Sequence, residues 1–162
     1  QNLFVRVQQT GIPQMQAIVG TAQNLTFNIQ YKDMKDQPLN PANIRQGTDF
    51  YAEVIVKHPG VRMAYKDLAL LEIFPSGWEI LSSRLDAVKN ARLKGDVPTY
   101  QDIRDDRISI YFDLEKGQSK MFRVLLHAAY SGTYYLPSVR CEAMYDNSIS
   151  AGSDGKWVNV VK

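Results

Sequence analysis

Alternation of apolar and polar side chains with a period of two runs through most of this chain. Leu25, Phe27, Ile29 and Tyr31 alternate with Thr26, Asn28, Gln30 and Lys32. Ile108, Ile110, Phe112 and Leu114 alternate with Arg107, Ser109, Tyr111 and Asp113, and Phe122, Val124, Leu126, Ala128 and Tyr130 repeat the device. Successive side chains of a strand point to opposite faces, so each run predicts a strand with one face on a core and one in water. Glu115-Lys116-Gly117 separates the last two runs. Its glycine can take a positive φ, so residues 107–130 read as a β-hairpin. Further strands are predicted at 3–8, 49–57, 67–74 and 156–161. At Leu68-Ala69-Leu70-Leu71 both phases are apolar, which predicts a bulge or a strand covered on both faces.

Two stretches leave this rhythm. Residues 33–47, with Pro38, Pro41 and Gly47, read as a long loop. Within 84–104, Leu85, Val88, Ala91 and Leu93 recur at helical spacing, which permits a short helix before Pro98. The density of alternating strands predicts an all-β chain, an antiparallel β-sandwich of the immunoglobulin or fibronectin kind, with at most a short helix around 84–104. No repeat, low-complexity tract or charge run divides residues 1–162, which read as one domain. Because Gln1 opens directly on a strand-like segment, the chain is expected to be an excised piece of something longer, with any export signal upstream.

The pattern breaks at one place. After Gly132-Thr133-Tyr134-Tyr135-Leu136-Pro137 comes a strand in which Val139, Cys141 and Ala143 are apolar while Arg140 and Glu142 are charged. Met144 then falls in the charged phase, beside Tyr145, whose ring is apolar and whose hydroxyl wants a polar partner. Two readings account for it: a partner that covers the pair, or a sheet edge where the tyrosine hydroxyl bonds to nearby backbone.

Composition narrows the functional classes. Lys plus Arg number 19 against 17 Asp plus Glu, and the charges are interleaved along the strands, so no nucleic-acid footprint is present. No apolar run approaches the roughly 18–20 residues a membrane helix needs, and no membrane insertion by this chain is expected. Cys141, the only cysteine, lies in an apolar phase and reads as a buried, inert thiol. His58 and His127 have no second ligand at metal spacing, whereas zinc wants about four. Asp102, Asp105 and Asp106 crowd against Arg104 and Arg107, which favours ionised surface pairs over the raised pKa of an acid–base pair. No serine sits in a Gly-x-Ser-x-Gly elbow, and the glycines form no phosphate-binding loop. The expectation is a chain that is not an enzyme and carries no cofactor or metal. Trp78 and Trp157 read as core or corner packing, since no basic stripe accompanies them. Asn24-Leu25-Thr26 matches a glycosylation acceptor, a three-residue match common by chance.

The order of several segments carries a resemblance. Leu3-Phe4-Val5-Arg6 with Gly11-Ile12-Pro13, then Ala69-Leu70-Leu71-Glu72-Ile73-Phe74-Pro75-Ser76-Gly77-Trp78-Glu79-Ile80, then Asp102-Ile103-Arg104-Asp105-Asp106-Arg107 and Tyr111-Phe112-Asp113-Leu114 form a series. It ends in Gly132-Thr133-Tyr134-Tyr135-Leu136-Pro137 and Ala143-Met144-Tyr145-Asp146. The series resembles the C-terminal macroglobulin-like domain of bacterial α2-macroglobulins, from Leu3 to Val161. Asp-Asp-Arg and Met-Tyr-Asp are fairly specific in combination and weak alone.

The resemblance implies a part of a large exported inhibitor of the periplasm or cell envelope, often lipid-anchored, that traps target proteases. Many members carry a thioester between a Cys and a Gln side chain in a separate helical domain, and the C-terminal domain covers it before activation. In the family pattern the Met-Tyr pair supplies that cover, so Met144, Tyr145 and Asp146 are the implied interdomain contact, with the thioester and neighbouring macroglobulin domains of the parent chain as partners. The family usually continues with Pro where this chain has Asn147, so the following turn is expected to differ. No thioester motif occurs in these 162 residues. The alternative, from a different class, is an immunoglobulin-like adhesion or carbohydrate-binding module of a cell-surface protein, which would need a face of aromatic and amide side chains.

Overall fold

The computed structural model describes residues 6–8, 10–11, 20–81 and 95–162. Among them every regular element is a strand: β1 (Ala22–Gln23), β2 (Thr26–Asp33), β3 (Asn43–Arg45), β4 (Asp49–Lys57), β5 (Tyr65–Ile73), β6 (Trp78–Ile80), β7 (Tyr100–Ile103), β8 (Arg107–Leu114), β9 (Ser119–Ala128), β10 (Gly132–Leu136), β11 (Arg140–Ala143), β12 (Asp146–Gly152) and β13 (Lys156–Val161). They form a six-stranded sheet in the order β1-β12-β11-β5-β8-β7, a four-stranded sheet β2-β4-β9-β6 and a three-stranded sheet β10-β13-β3. Pairing is antiparallel except between β13 and β3, which run parallel. The architecture is an all-β sandwich of antiparallel sheets.

Alternation sets which face each strand buries. Ile108, Ile110, Phe112 and Leu114 of β8 point inward, as do Phe122, Val124, Leu126 and Ala128 of β9, and all join one hydrophobic cluster. The Phe112 and Phe122 rings meet at 4.8 Å. Tyr31, Phe50 and Trp78 close one part of the same core, with Phe50 and Trp78 packed edge to face at 4.9 Å. Trp78 is buried as expected, but Trp157 is 54% exposed and meets Tyr135 edge to face at 5.5 Å.

The hairpin expected over 107–130 does not form. β8 pairs with β5 and β7, whereas β9 pairs with β4 and β6, so the turn after β8 carries the chain from one sheet to the other. That turn has the expected chemistry, with Gly117 at φ 76 and the Gln118 N–H donating to the Glu115 carbonyl at 2.9 Å. The same turn closes an arch because each strand finds its hydrogen-bonding neighbours elsewhere in the chain.

Other differences are local. Residues 6–8 form no strand, and the rest of the expected 3–8 strand lies outside the described residues. Residues 82–94, the centre of the expected helix, also lie outside them; the described end of that stretch is a strand, β7, paired with β8. The expected loop 33–47 contains β3, too short to show a period, and a turn in which the Asp33 carboxylate accepts from the Lys35 and Gln37 N–H groups at 2.8 and 2.9 Å. In β5 the doubly apolar stretch follows a bulge: register shifts between Tyr65 and Leu68, and Asp67 takes φ 54. The phase that buries Leu68 and Leu70 also carries Glu72 inward, fully buried, with neither oxygen bonded among the described residues. Burial pushes that carboxyl up to about 8.

Candidate interdomain docking site

Met144 and Tyr145 are not strand residues but the two-residue turn joining β11 to β12. Ala143 faces Asp146 to close the turn, while the preceding Glu142 faces Ser150. Asn147, Ser148 and Ile149 therefore have no counterpart on β11, and a bulge follows the turn. The break in alternation at Met144 marks the end of the strand rather than an apolar residue on its solvent face. Cys141 and Ala143 anchor the hairpin in the core. Burial first, and the neighbouring Glu142 charge second, push the Cys141 thiol up to about 12, which leaves it an inert packing group.

Three contacts hold the turn. The Met144 N–H donates to the Asp67 carbonyl in the β5 bulge at 3.0 Å. Asp146 Oδ1 accepts from the Ser148 N–H and hydroxyl at 2.9 and 2.6 Å, and Oδ2 faces Arg62 Nη1 at 3.5 Å. The Ser148 hydroxyl, then its N–H, and last Arg62 hold the Asp146 carboxyl below the usual range. Asn24, at φ 53, donates its side-chain amide to the Ser148 carbonyl at 2.8 Å, so the amide of the glycosylation match already serves as a brace. Asp146 thus shapes the turn, whereas the Met144 and Tyr145 side chains project outward, 51% and 84% exposed.

Such an arrangement is suited to making a contact. It offers a thioether and a phenol on a braced turn, and among the described residues no hydrogen bond to a basic side chain reaches either. Of the carboxylates near 102–107, Arg104 holds Asp102 at 2.9 Å, and Arg107 forks onto both oxygens of Asp106 at 2.9 Å, all at the surface. His127 contacts Asp49 at 2.6 Å. Among the described residues, no group of three or more His, Cys, Asp or Glu side chains gathers to hold a metal.

Sequence patterning missed the loop beside the turn. Arg62, which reaches Asp146, also donates to the Ser148 hydroxyl at 2.8 Å, bringing the β4–β5 loop against the β11–β12 turn. His58 organises that loop. It is completely buried, accepts from the Gly60 N–H at 2.8 Å through Nδ1, and meets the Met63 carbonyl at 2.8 Å through Nε2. These partners assign the proton to Nε2, and the ring stacks on Tyr65 at 3.9 Å. His58 before Pro59-Gly60 was visible as a turn signal, but nothing local shows that both ring nitrogens bond within the loop.

Comparison with known proteins places this geometry in a family. Residues 25–147 match the family described as the bacterial alpha-2-macroglobulin MG10 domain. The chain is 28% identical over 155 residues to an alpha-2-macroglobulin of Pasteurella multocida, covering 94% of this chain and 8% of that one. It is 22% identical over 152 residues to an alpha-2-macroglobulin homolog of Yersinia pestis, covering 82% and 7%. The chain therefore spans less than a tenth of these relatives. Among solved structures it resembles native Escherichia coli alpha-2-macroglobulin from domain MG7 to the C-terminus, at TM-score 0.78 and 19% identity, covering 94% of this chain and 25% of that one. It also resembles Salmonella alpha-2-macroglobulin reacted with methylamine, at TM-score 0.74 and 21% identity, covering 88% and 10%. These structural neighbours are parts of multidomain chains and share the sandwich. A match across residues 25–147, running through β2 to the braced Met144–Tyr145 turn, means that the chain belongs to the bacterial α2-macroglobulin MG10 domain family.

Proposed function

We propose that this chain is a single, non-catalytic C-terminal domain of a bacterial α2-macroglobulin-like protease inhibitor, and that Met144 and Tyr145 dock on and shield the thioester domain of the same parent chain before activation. The observation that carries the reading is the pair itself: two large apolar side chains outside the core, on a turn fixed by the Asp67 carbonyl and the Asp146–Ser148 bonds. A thioester persists only where water and amines are kept away, and a thioether beside an aromatic ring supplies an adaptable apolar cover. The Salmonella relative's reaction with methylamine fits that chemistry. The parent acts outside the cytoplasm, in the periplasm or cell envelope, held there by its own export signal or lipid anchor, and target proteases are met by the parent rather than by this domain.

The test is Tyr145→Ala in the full-length parent. Reaction with methylamine is expected to speed at least tenfold, with the domain still folded, because an exposed side chain changes stability by no more than about 0.5 kcal/mol. An unchanged reaction rate overturns the shielding role.

A carbohydrate-binding module finds one observation in its favour, the exposed Trp157 beside Tyr135. The neighbouring polar groups are already engaged: the Thr133 hydroxyl donates to Asn159 at 2.8 Å, and Asn159 donates to Asn43 at 3.2 Å. A sugar would have to displace those bonds, so docking is the better supported reading.

A further inference from the structure

We infer that the docking face extends beyond the turn to the β4–β5 loop, so that Val61 and Met63 form one surface with Met144 and Tyr145 against a neighbouring domain of the parent chain. The inference rests on the shielding reading for its occupant. Val61 is 71% and Met63 83% exposed, and Arg62 between them is the residue that grips Asp146 and Ser148 of the turn. Four exposed large apolar side chains thus lie on two loops bonded to each other through Arg62, whereas a soluble surface ordinarily scatters such residues singly.

Area points the same way. Domain interfaces within a chain bury about 600–1,500 Å² in total. A fully covered aromatic ring contributes roughly 150–250 Å². One tyrosine and half a methionine reach only the bottom of one side's share, so a stable dock needs further residues, and Val61 and Met63 are the exposed apolar residues on the loop bonded to the turn.

The loop is also organised for contact. His58 spends both ring nitrogens on Gly60 and Met63 and stacks on Tyr65, which fixes a segment whose apolar side chains Val61 and Met63 are exposed. Holding Met63 in place before binding lowers the ordering cost of the contact. A loop needed only as a connection would not require a buried imidazole to set its shape.

The experiment uses the full-length chain carrying Met63→Cys or Met144→Cys, treated with a maleimide and read at each site by peptide mass spectrometry, natively and after unfolding in guanidinium. Both residues are exposed here, so neither change threatens the fold. Native labelling at least tenfold slower than unfolded labelling at both sites supports one shared face. Free labelling at residue 63 with protection at 144 overturns the inference and leaves the shielding reading standing. Free labelling at both overturns the two together. Protection at 63 alone breaks the unity of the face and also overturns it, and protection that fades on dilution assigns the cover to a second copy rather than to the parent chain.

Discussion

The carbonyl of Asp67 accepts the N–H of Met144 at 3.0 Å, which ties the bulge of β5 to the turn that ends β11. Asp67 sits at φ 54, and its own N–H donates to Asp113 Oδ1 at 3.0 Å. Both backbone groups of a left-handed residue are therefore held. That Asp67 N–H, and then Lys66, in turn hold the Asp113 carboxyl below its ordinary range. A left-handed conformation costs an L-residue roughly 1–2 kcal/mol, least for Asp, Asn and Gly. The strained residue is bonded directly to the turn that carries the exposed pair, so its backbone helps set where that pair projects.

Asp67→Gly is accordingly expected to keep or raise the melting temperature, whereas Asp67→Val lowers stability by about 1–2 kcal/mol, because a β-branched side chain resists positive φ. Amide hydrogen exchange checks the coupling. The Met144 amide should lose protection in Asp67→Val and keep it in Asp67→Gly. Equal protection in both variants would detach the turn from the bulge.

Glu72 predicts a pH dependence. Its carboxyl stays protonated in the folded chain up to about 8 but ionises near 4.5 when unfolded. Between those values the folded state holds one more proton than the unfolded, so stability falls as pH rises through that window. At about 1.4 kcal/mol per pKa unit the loss across that window is on the order of 5 kcal/mol. Glu72→Leu removes the ionisable group and is expected to gain stability over the parent by a margin that widens from pH 5 to pH 8. Denaturant midpoints at the two pH values measure it, and parallel midpoints would refute the assignment.

Gly77 admits the ring of Tyr134. A Cβ built there would stand 2.2 Å from Tyr134 Cε2 and 2.7 Å from Cδ2 and Cζ. Gly77 also accepts from the Ala129 and Tyr130 N–H groups at 2.9 and 3.1 Å, which limits backbone retreat. Gly77→Ala should destabilise by about 1–3 kcal/mol through overpacking. Adding Tyr134→Ser should cancel part of that loss in a thermal double-mutant cycle, while simple additivity would show that the two positions do not collide.

How far the sequence could be read varied from element to element. β4 and β13 coincide with the predicted 49–57 and 156–161 strands, and the inward sets of β2, β8 and β9 follow their alternation. β3 was missed because three residues show no period and their parallel partner β13 lies far along the chain. The oddity of Met144 was legible, but its place in a turn was not, since Met-Tyr carries none of the Gly, Asn or Asp signals that announce a tight turn. Val61 and Met63 gave no signal at all, because a loop has no phase against which an apolar residue looks misplaced.

The order of residues by itself determined which side chains face the core, because a strand's two-residue period is a property of its own backbone. It also determined where turns are permitted, as at Gly117. Tertiary structure alone decided that β8 and β9 arch between sheets, that β5 lies between β11 and β8, and that Arg62 meets Asp146. The physical reason is that strands recognise one another through peptide N–H and C=O groups, which are alike in almost every residue. Their choice of neighbour is settled by how the whole core packs, and the braced Met144–Tyr145 turn is a product of that choice.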